Sequence, residues 1–203
     1  MRNYYRFVYR REFKLQENSY SLKIINLEPH LYSRTAIKKW VNAGINYFES
    51  SWNEIYELSG LEDVDTIIVR LEKFISRKEL SLFPNLKYLI TATTGLTHLD
   101  LKEIKSQNIQ LYTLKGHDDF LSNIPSTAEM TWALIMSLLR QLPQANIDVR
   151  NGHWNRDKFL GIQLKDKNIG IVGLGRTGQL VAKYAVAFGF NVYFYDPYQS
   201  NID

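Results

Sequence analysis

Between Leu22 and Thr113, short runs of branched and aromatic residues alternate with stretches whose apolar positions recur at helical spacing. Residues 22–27, 45–48, 66–70, 86–91 and 109–113 read as five strands. Residues 33–42, 52–58, 78–83 and 100–107 read as the helices between them, the first stopping before Gly44. Short apolar strands separated by helices imply a parallel sheet covered on both faces. Residues 20–116 are therefore expected to form a flavodoxin-like domain.

The pattern then changes. Residues 117–125 show no periodicity and read as a linker. Ser126-Thr127-Ala128-Glu129 has the spacing of a capping box, in which Ser126 takes orphan N–H groups and Glu129 reaches back. The helix it would open, Met130-Thr131-Trp132-Ala133-Leu134-Ile135-Met136-Ser137-Leu138-Leu139, is apolar on nearly every face. A helix of that kind is expected to be buried all round, between domains or between subunits. Asn151-Gly152-His153-Trp154-Asn155 reads as a turn-rich arm.

The chemistry-bearing segment follows. Asn168-Ile169-Gly170-Ile171-Val172 reads as a buried strand, Gly173-Leu174-Gly175-Arg176-Thr177-Gly178 as a glycine-rich turn opening a helix, and Val192-Tyr193-Phe194-Tyr195-Asp196 as the next strand, closed by an acid. This order is the dinucleotide-binding fingerprint. Gly173 permits the tight turn, Gly175 lets backbone approach a pyrophosphate, and Gly178 lets helix pack on strand. The helix N-terminus offers unpaired N–H groups to the phosphates. Asp196 can accept the hydroxyls of an adenosine ribose and would repel a 2′-phosphate, so the expected cofactor is NAD rather than NADP. Residues 126–203 thus read as a long helix and the first βαβ unit of a Rossmann domain, and the chain as α/β throughout.

Composition narrows the setting. An apolar share of 45% suffices for buried cores, and no apolar run approaches the length that spans a bilayer. With no cysteine there is no disulfide framework or thiolate metal site, and no His-rich ligand spacing appears, so no metal site is expected. The start lacks the apolar stretch of a secretory signal, which makes the cytoplasm the default location. The net charge of +4 resides in residues 1–14, where Arg2, Arg6, Arg10, Arg11 and Lys14 face only Glu12. The rest is neutral overall, so no nucleic-acid-binding core is expected. The basic aromatic arm, residues 1–19, reads as a hairpin strand or a segment packed on its own domain, with an acidic partner or nucleic acid as the alternative.

Taken together, these segments resemble the D-isomer-specific 2-hydroxyacid dehydrogenases, of the D-3-phosphoglycerate dehydrogenase type. The likeness rests on Asn85-Leu86-Lys87-Tyr88-Leu89-Ile90, Thr94-Gly95-Leu96-Thr97-His98-Leu99-Asp100, Thr127-Ala128-Glu129, Gly152-His153-Trp154, the glycine-rich turn and Asp196-Pro197-Tyr198. The resemblance implies that the backbone of Thr93, Thr94 and Gly95 holds a substrate carboxylate. It also implies that Thr127 lies beside the nicotinamide, that Arg176 and Thr177 touch the pyrophosphate, and that Asp196 and Pro197 meet the adenosine end. It further implies hydride transfer between NAD and a 2-hydroxy or 2-keto acid, in a homodimer joined through residues 125–155.

In the family the catalytic Arg, Glu and His come well after the second strand of the NAD domain. No counterpart precedes Asp203, and none of His30, His98, His117 and His153 has a catalytic spacing, so no catalytic residue is assigned. The expectation is an N-terminal portion inactive alone as an oxidoreductase. The alternative is a non-catalytic NAD-binding or dimerisation module of the same fold.

Overall fold

The structure is a computed structural model that describes residues 22–30 and 32–198. The arm 1–19 lies outside the described residues. The chain forms two compact units, Met1–Lys115 and Gly116–Asp203.

In the first unit, β1 (Lys23–Asn26), β2 (Asn46–Glu49), β3 (Thr66–Val69), β4 (Tyr88–Thr91) and β5 (Gln110–Thr113) form one sheet ordered β2-β1-β3-β4-β5. Every pair is parallel. This is the flavodoxin-like strand order. The central strand β3 is buried at all four positions, whereas edge strands β2 and β5 keep polar or exposed residues, which blunts their free edges against further pairing. The core joins Ile25, Ile67, Val69 and Leu89 from the sheet to Leu80, Phe83 and Ile104 from its cover. Three α-helices connect the strands: α1 (Arg34–Asn42), α2 (Arg77–Leu80) and α3 (Leu101–Ser106). Asp100 starts α3 by accepting from the N–H groups of Lys102 and Glu103 at 3.1 Å each.

The helix expected over residues 52–58 is only a 3-10 turn, Ile55–Glu57. The polar sequence Ser59-Gly60 halts it, with Gly60 left-handed at φ 81°. A second such turn, Leu61–Asp63, leads into β3.

The second unit holds α4 (Asp118–Ser122), α5 (Ser126–Leu139), α6 (Leu142–Arg150), β6 (Asn168–Val172), α7 (Arg176–Ala187) and β7 (Asn191–Tyr195). Strands β6 and β7 pair in parallel across α7. Trp132 of α5 is the packing centre: its ring lies 4.8 Å from Phe188 and 5.7 Å from Phe190, and its indole N–H donates to the Val181 carbonyl at 3.2 Å. Ala128, Val181 and Ala185 complete the buried set, with Ile169, Ile171 and Val192 of the strands against it.

Two features depart from the expectation. Residues 117–125, read as a linker without periodicity, hold the short helix α4, with Asp118 and Asp119 favourably placed in its first turn and Leu121 buried. Pro125, already in the helical region, occupies the cap of α5, so Ser126 is the first helical residue and makes no side-chain cap. The capping box lies instead at α2, between Ser76 and Glu79. On α5, expected to be buried between domains or between subunits, Met130, Leu134 and Leu138 are 61, 64 and 77% exposed in the single chain.

Removing a side chain from the centre of β3 tests the first core. Ile67→Ala is expected to cost about 3 kcal/mol in urea unfolding, and Leu71→Ala, an exposed position, no more than about 0.5 kcal/mol.

Candidate functional site

In the second unit, β6 ends at Val172 and the chain turns at Gly173, whose φ of 91° is a conformation that disfavours any residue with a Cβ. The Gly173 N–H donates to the Tyr195 carbonyl at 2.8 Å, which fastens the turn to the end of β7. Gly175 caps α7 in an extended conformation, and a Cβ there would meet nothing within 4 Å. That space is open for a ligand's phosphate in front of the helix. At Gly178 the opposite holds, since a Cβ would collide with the Gly173 carbonyl. Hydrogen at this position is what lets α7 begin so close to the turn. The three glycines therefore fit a dinucleotide, each for a different steric reason.

Asp196 follows β7 and reaches back to the turn. Its carboxylate accepts from the Leu174 N–H at 2.6 Å and from the Tyr198 N–H at 2.8 Å. The acid expected to meet a ribose is thus also a brace between the glycine turn and the next loop. Pro197 is exposed beside it. Thr177 lies in the first turn of α7 and is half-buried. Arg176 is the first residue of that helix, and its Nη1 donates to the carbonyls of Leu121 at 2.9 Å and Ile124 at 3.2 Å. Thr127 is exposed in the first turn of α5, where its carbonyl accepts from the Thr131 hydroxyl at 2.8 Å.

In the first unit, Thr93, Thr94 and Gly95 form the loop after β4, at the C-terminal edge of the parallel sheet. Thr94 and Gly95 are exposed. The Thr93 hydroxyl donates to the Gly95 carbonyl at 2.8 Å, while the Thr93 carbonyl accepts from the Thr113 hydroxyl at 2.7 Å and the Leu114 N–H at 3.1 Å. The turn is held from below by its neighbour strand.

A relay of side chains continues inward. The Thr91 hydroxyl lies 3.0 Å from that of Thr93 and 3.3 Å from His98 Nε2. His98 is 7% exposed, and its Nδ1 is buried without a partner among the described residues. Burial pushes the His98 pKa down, against a weaker upward pull from the Glu28 charge. Glu28, itself buried, accepts from the N–H groups of Leu71 and Glu72 and from the Trp52 indole. Thr91 and Glu28 escaped the sequence reading, which considered His98 only to find it without a catalytic spacing. Only the run of hydroxyls Thr91, Thr93 and Thr94 hinted that this strand end is polar inside.

Residues 132–203 match the family model described as D-isomer specific 2-hydroxyacid dehydrogenase, NAD binding domain. The chain belongs to the D-isomer-specific 2-hydroxyacid dehydrogenases. It is 33% identical over 141 residues to D-3-phosphoglycerate dehydrogenase of Methanocaldococcus jannaschii, covering 70% of this chain and 26% of the relative. It is 36% identical over 138 residues to the enzyme of the same name from Bacillus subtilis, covering 68% and 25%. The chain therefore spans about a quarter of the length of these relatives. Among solved structures it is similar to an NAD-dependent formate dehydrogenase from Staphylococcus aureus in complex with NAD. The TM-score is 0.72 at 28% identity, over 87% of this chain and 57% of that one. The glycine turn of the second unit lies within the matched stretch, residues 132–203.

The His98 relay gives a pH signature. A histidine pKa lower in the folded than in the unfolded chain means that the unfolded chain binds more protons between the two values, so stability falls as pH decreases through that window. The free energy of unfolding should decline below about pH 6.5, the ordinary histidine value, and level off beneath the folded-state pKa. His98→Gln should remove this component. An unchanged pH profile in that variant would assign the acid sensitivity to other groups.

Proposed function

We propose that this chain supplies the carboxylate-binding loop and the nucleotide turn of an NAD-dependent oxidoreductase that transfers hydride between NAD and a 2-hydroxy or 2-keto acid. The observation that carries the reading is the turn 173–178, where a left-handed glycine, an open phosphate space and a helix start that tolerates no Cβ occur in succession.

The exposed N–H groups of the Thr93–Gly95 loop would hold the substrate carboxylate, since peptide dipoles can bind an anion without a fixed cation. Gly173, Gly175 and the first turn of α7, with Arg176 and Thr177, would bind the pyrophosphate, whose charge suits a helix N-terminus. Asp196 would accept the ribose hydroxyls, with Pro197 beside it, and its charge would disfavour a 2′-phosphate. Thr127 would stand beside the nicotinamide. When bound, the nicotinamide accepts or returns the hydride at the substrate's C2. The residues named here would bind and orient the cofactor and the substrate.

Support for a homodimer through residues 125–155 comes from the apolar stripe Met130, Leu134 and Leu138 on α5, together with exposed Ile147 on α6 and Trp154, which is 86% exposed. Apolar positions four residues apart on one helix face form a continuous strip suited to a second helix. Cytoplasmic location remains part of this proposal.

Two measurements test the proposal. NADH added to the purified chain should quench tryptophan fluorescence saturably, and Gly175→Val and Asp196→Ala should each weaken binding at least about tenfold. Binding equal in all three chains would reject the turn as the nucleotide site. By light scattering the chain should be dimeric and Leu138→Glu monomeric with unchanged circular dichroism; a monomeric parent chain would reject the interface.

A further inference from the structure

Arg176 occupies an unusual junction. It follows Gly175 directly, so its backbone belongs to the helix start proposed for the pyrophosphate, while its guanidinium is bonded to another element. Nη1 donates to the carbonyls of Leu121 and Ile124, at the C-terminal end of α4 and the turn after it. The Leu121 carbonyl also accepts from the Ile124 N–H at 3.0 Å, which closes that turn on itself. Carbonyls at a helix end have no partner within the helix, and a cation is the favoured one to supply.

Both bonds are made by one nitrogen. A guanidinium carries five N–H groups in a rigid plane, so donors remain on Nε and Nη2 once Nη1 is committed. No carboxylate among the described residues forms an ion pair with it. Its positive charge, on the residue that directly follows Gly175, is therefore held by neutral carbonyls, which position it without cancelling it.

We propose that Arg176 is a positioning residue that makes nucleotide occupancy of the turn and the ordering of residues 118–124 a single equilibrium. Nη1 holds the end of α4, and the remaining donors take the charge of a pyrophosphate. Immobilising a long side chain costs conformational entropy. Whichever partner binds first bears that cost, and the other then binds to a guanidinium already fixed. The coupling is reciprocal by linkage, so a bound dinucleotide must stabilise α4 by the same factor that α4 strengthens binding. Lysine keeps the charge but lacks the planar fork, and so should serve one partner at a time. The coupling rests on the NAD reading above, whereas the bonds to α4 do not.

Hydrogen exchange by mass spectrometry on the full chain separates the two. Without nucleotide, Arg176→Lys should speed exchange in residues 117–125 several-fold and leave residues 181–187 of α7 unchanged, which reports that the unit stays folded. With saturating NADH, the parent chain should show slowed exchange over residues 117–125, and Arg176→Lys should lose this protection while binding about tenfold more weakly, the loss expected for one charge-assisted hydrogen bond. Equal exchange in the nucleotide-free chains would overturn the anchoring of α4. NADH binding without protection of 117–125, or with equal protection in both chains, would overturn the coupling alone. A parent chain that does not bind NADH would overturn the nucleotide reading and the coupling with it, while the nucleotide-free comparison would still decide the anchor.

Discussion

Parallel pairing is the constraint from which the rest of this structure follows. Two parallel strands cannot be joined by a tight turn, so the chain must cross a face of the sheet between them. Each strand consequently delivers its C-terminal end to the same edge, and each loop that leaves this edge begins a crossover. In the first unit that edge carries Glu28 after β1, Arg70 after β3 and Thr93–Gly95 after β4. In the second it carries the glycine turn after β6 and Asp196 after β7. Residues far apart in the chain are gathered at one edge by connectivity before any side chain chooses a partner.

Much of this could be read from the chain itself, because strand alternation and turn chemistry are local. Ile67, Ile68 and Val69 form a run that only a central strand would bury, and Gly173, Gly175 and Gly178 have a spacing with little purpose outside a strand-to-helix turn. What escaped were features that depend on partners distant in sequence. The Arg176 guanidinium meets carbonyls 52 and 55 residues earlier, and buried His98 feels the charge of Glu28, which precedes the second strand. Local signals also misled where two were in competition. Ser126 has the right neighbour for a capping box, but Pro125 had already entered the helical region, so the cap moved back by one residue.

The apolar character of α5 is divided between two surfaces. Hydrophobicity on all sides predicts burial on all sides, between domains or between subunits, and this helix turns Ala128 and Trp132 into its own unit while Met130, Leu134 and Leu138 point outward. The face of β6 and β7 away from α7 is similar, with Val172, Tyr193 and Tyr195 exposed. Both surfaces are more apolar than a solvated face requires, and the first is the one we assign to a second copy of the chain.

The brace between Asp196 and the Leu174 N–H bears on how readily such a protein could change its nucleotide. A swap toward the 2′-phosphorylated cofactor is ordinarily imagined as exchanging one acid for a neutral or basic residue, a change in specificity alone. Here the same carboxylate is the acceptor that holds the middle of the glycine turn at 2.6 Å, and Leu174 is buried. On the reading proposed above, removing the acid would alter discrimination and loosen the glycine turn in a single step. A lineage altering its preference would first need a second acceptor for that amide, so the order in which substitutions could accumulate is constrained by one hydrogen bond.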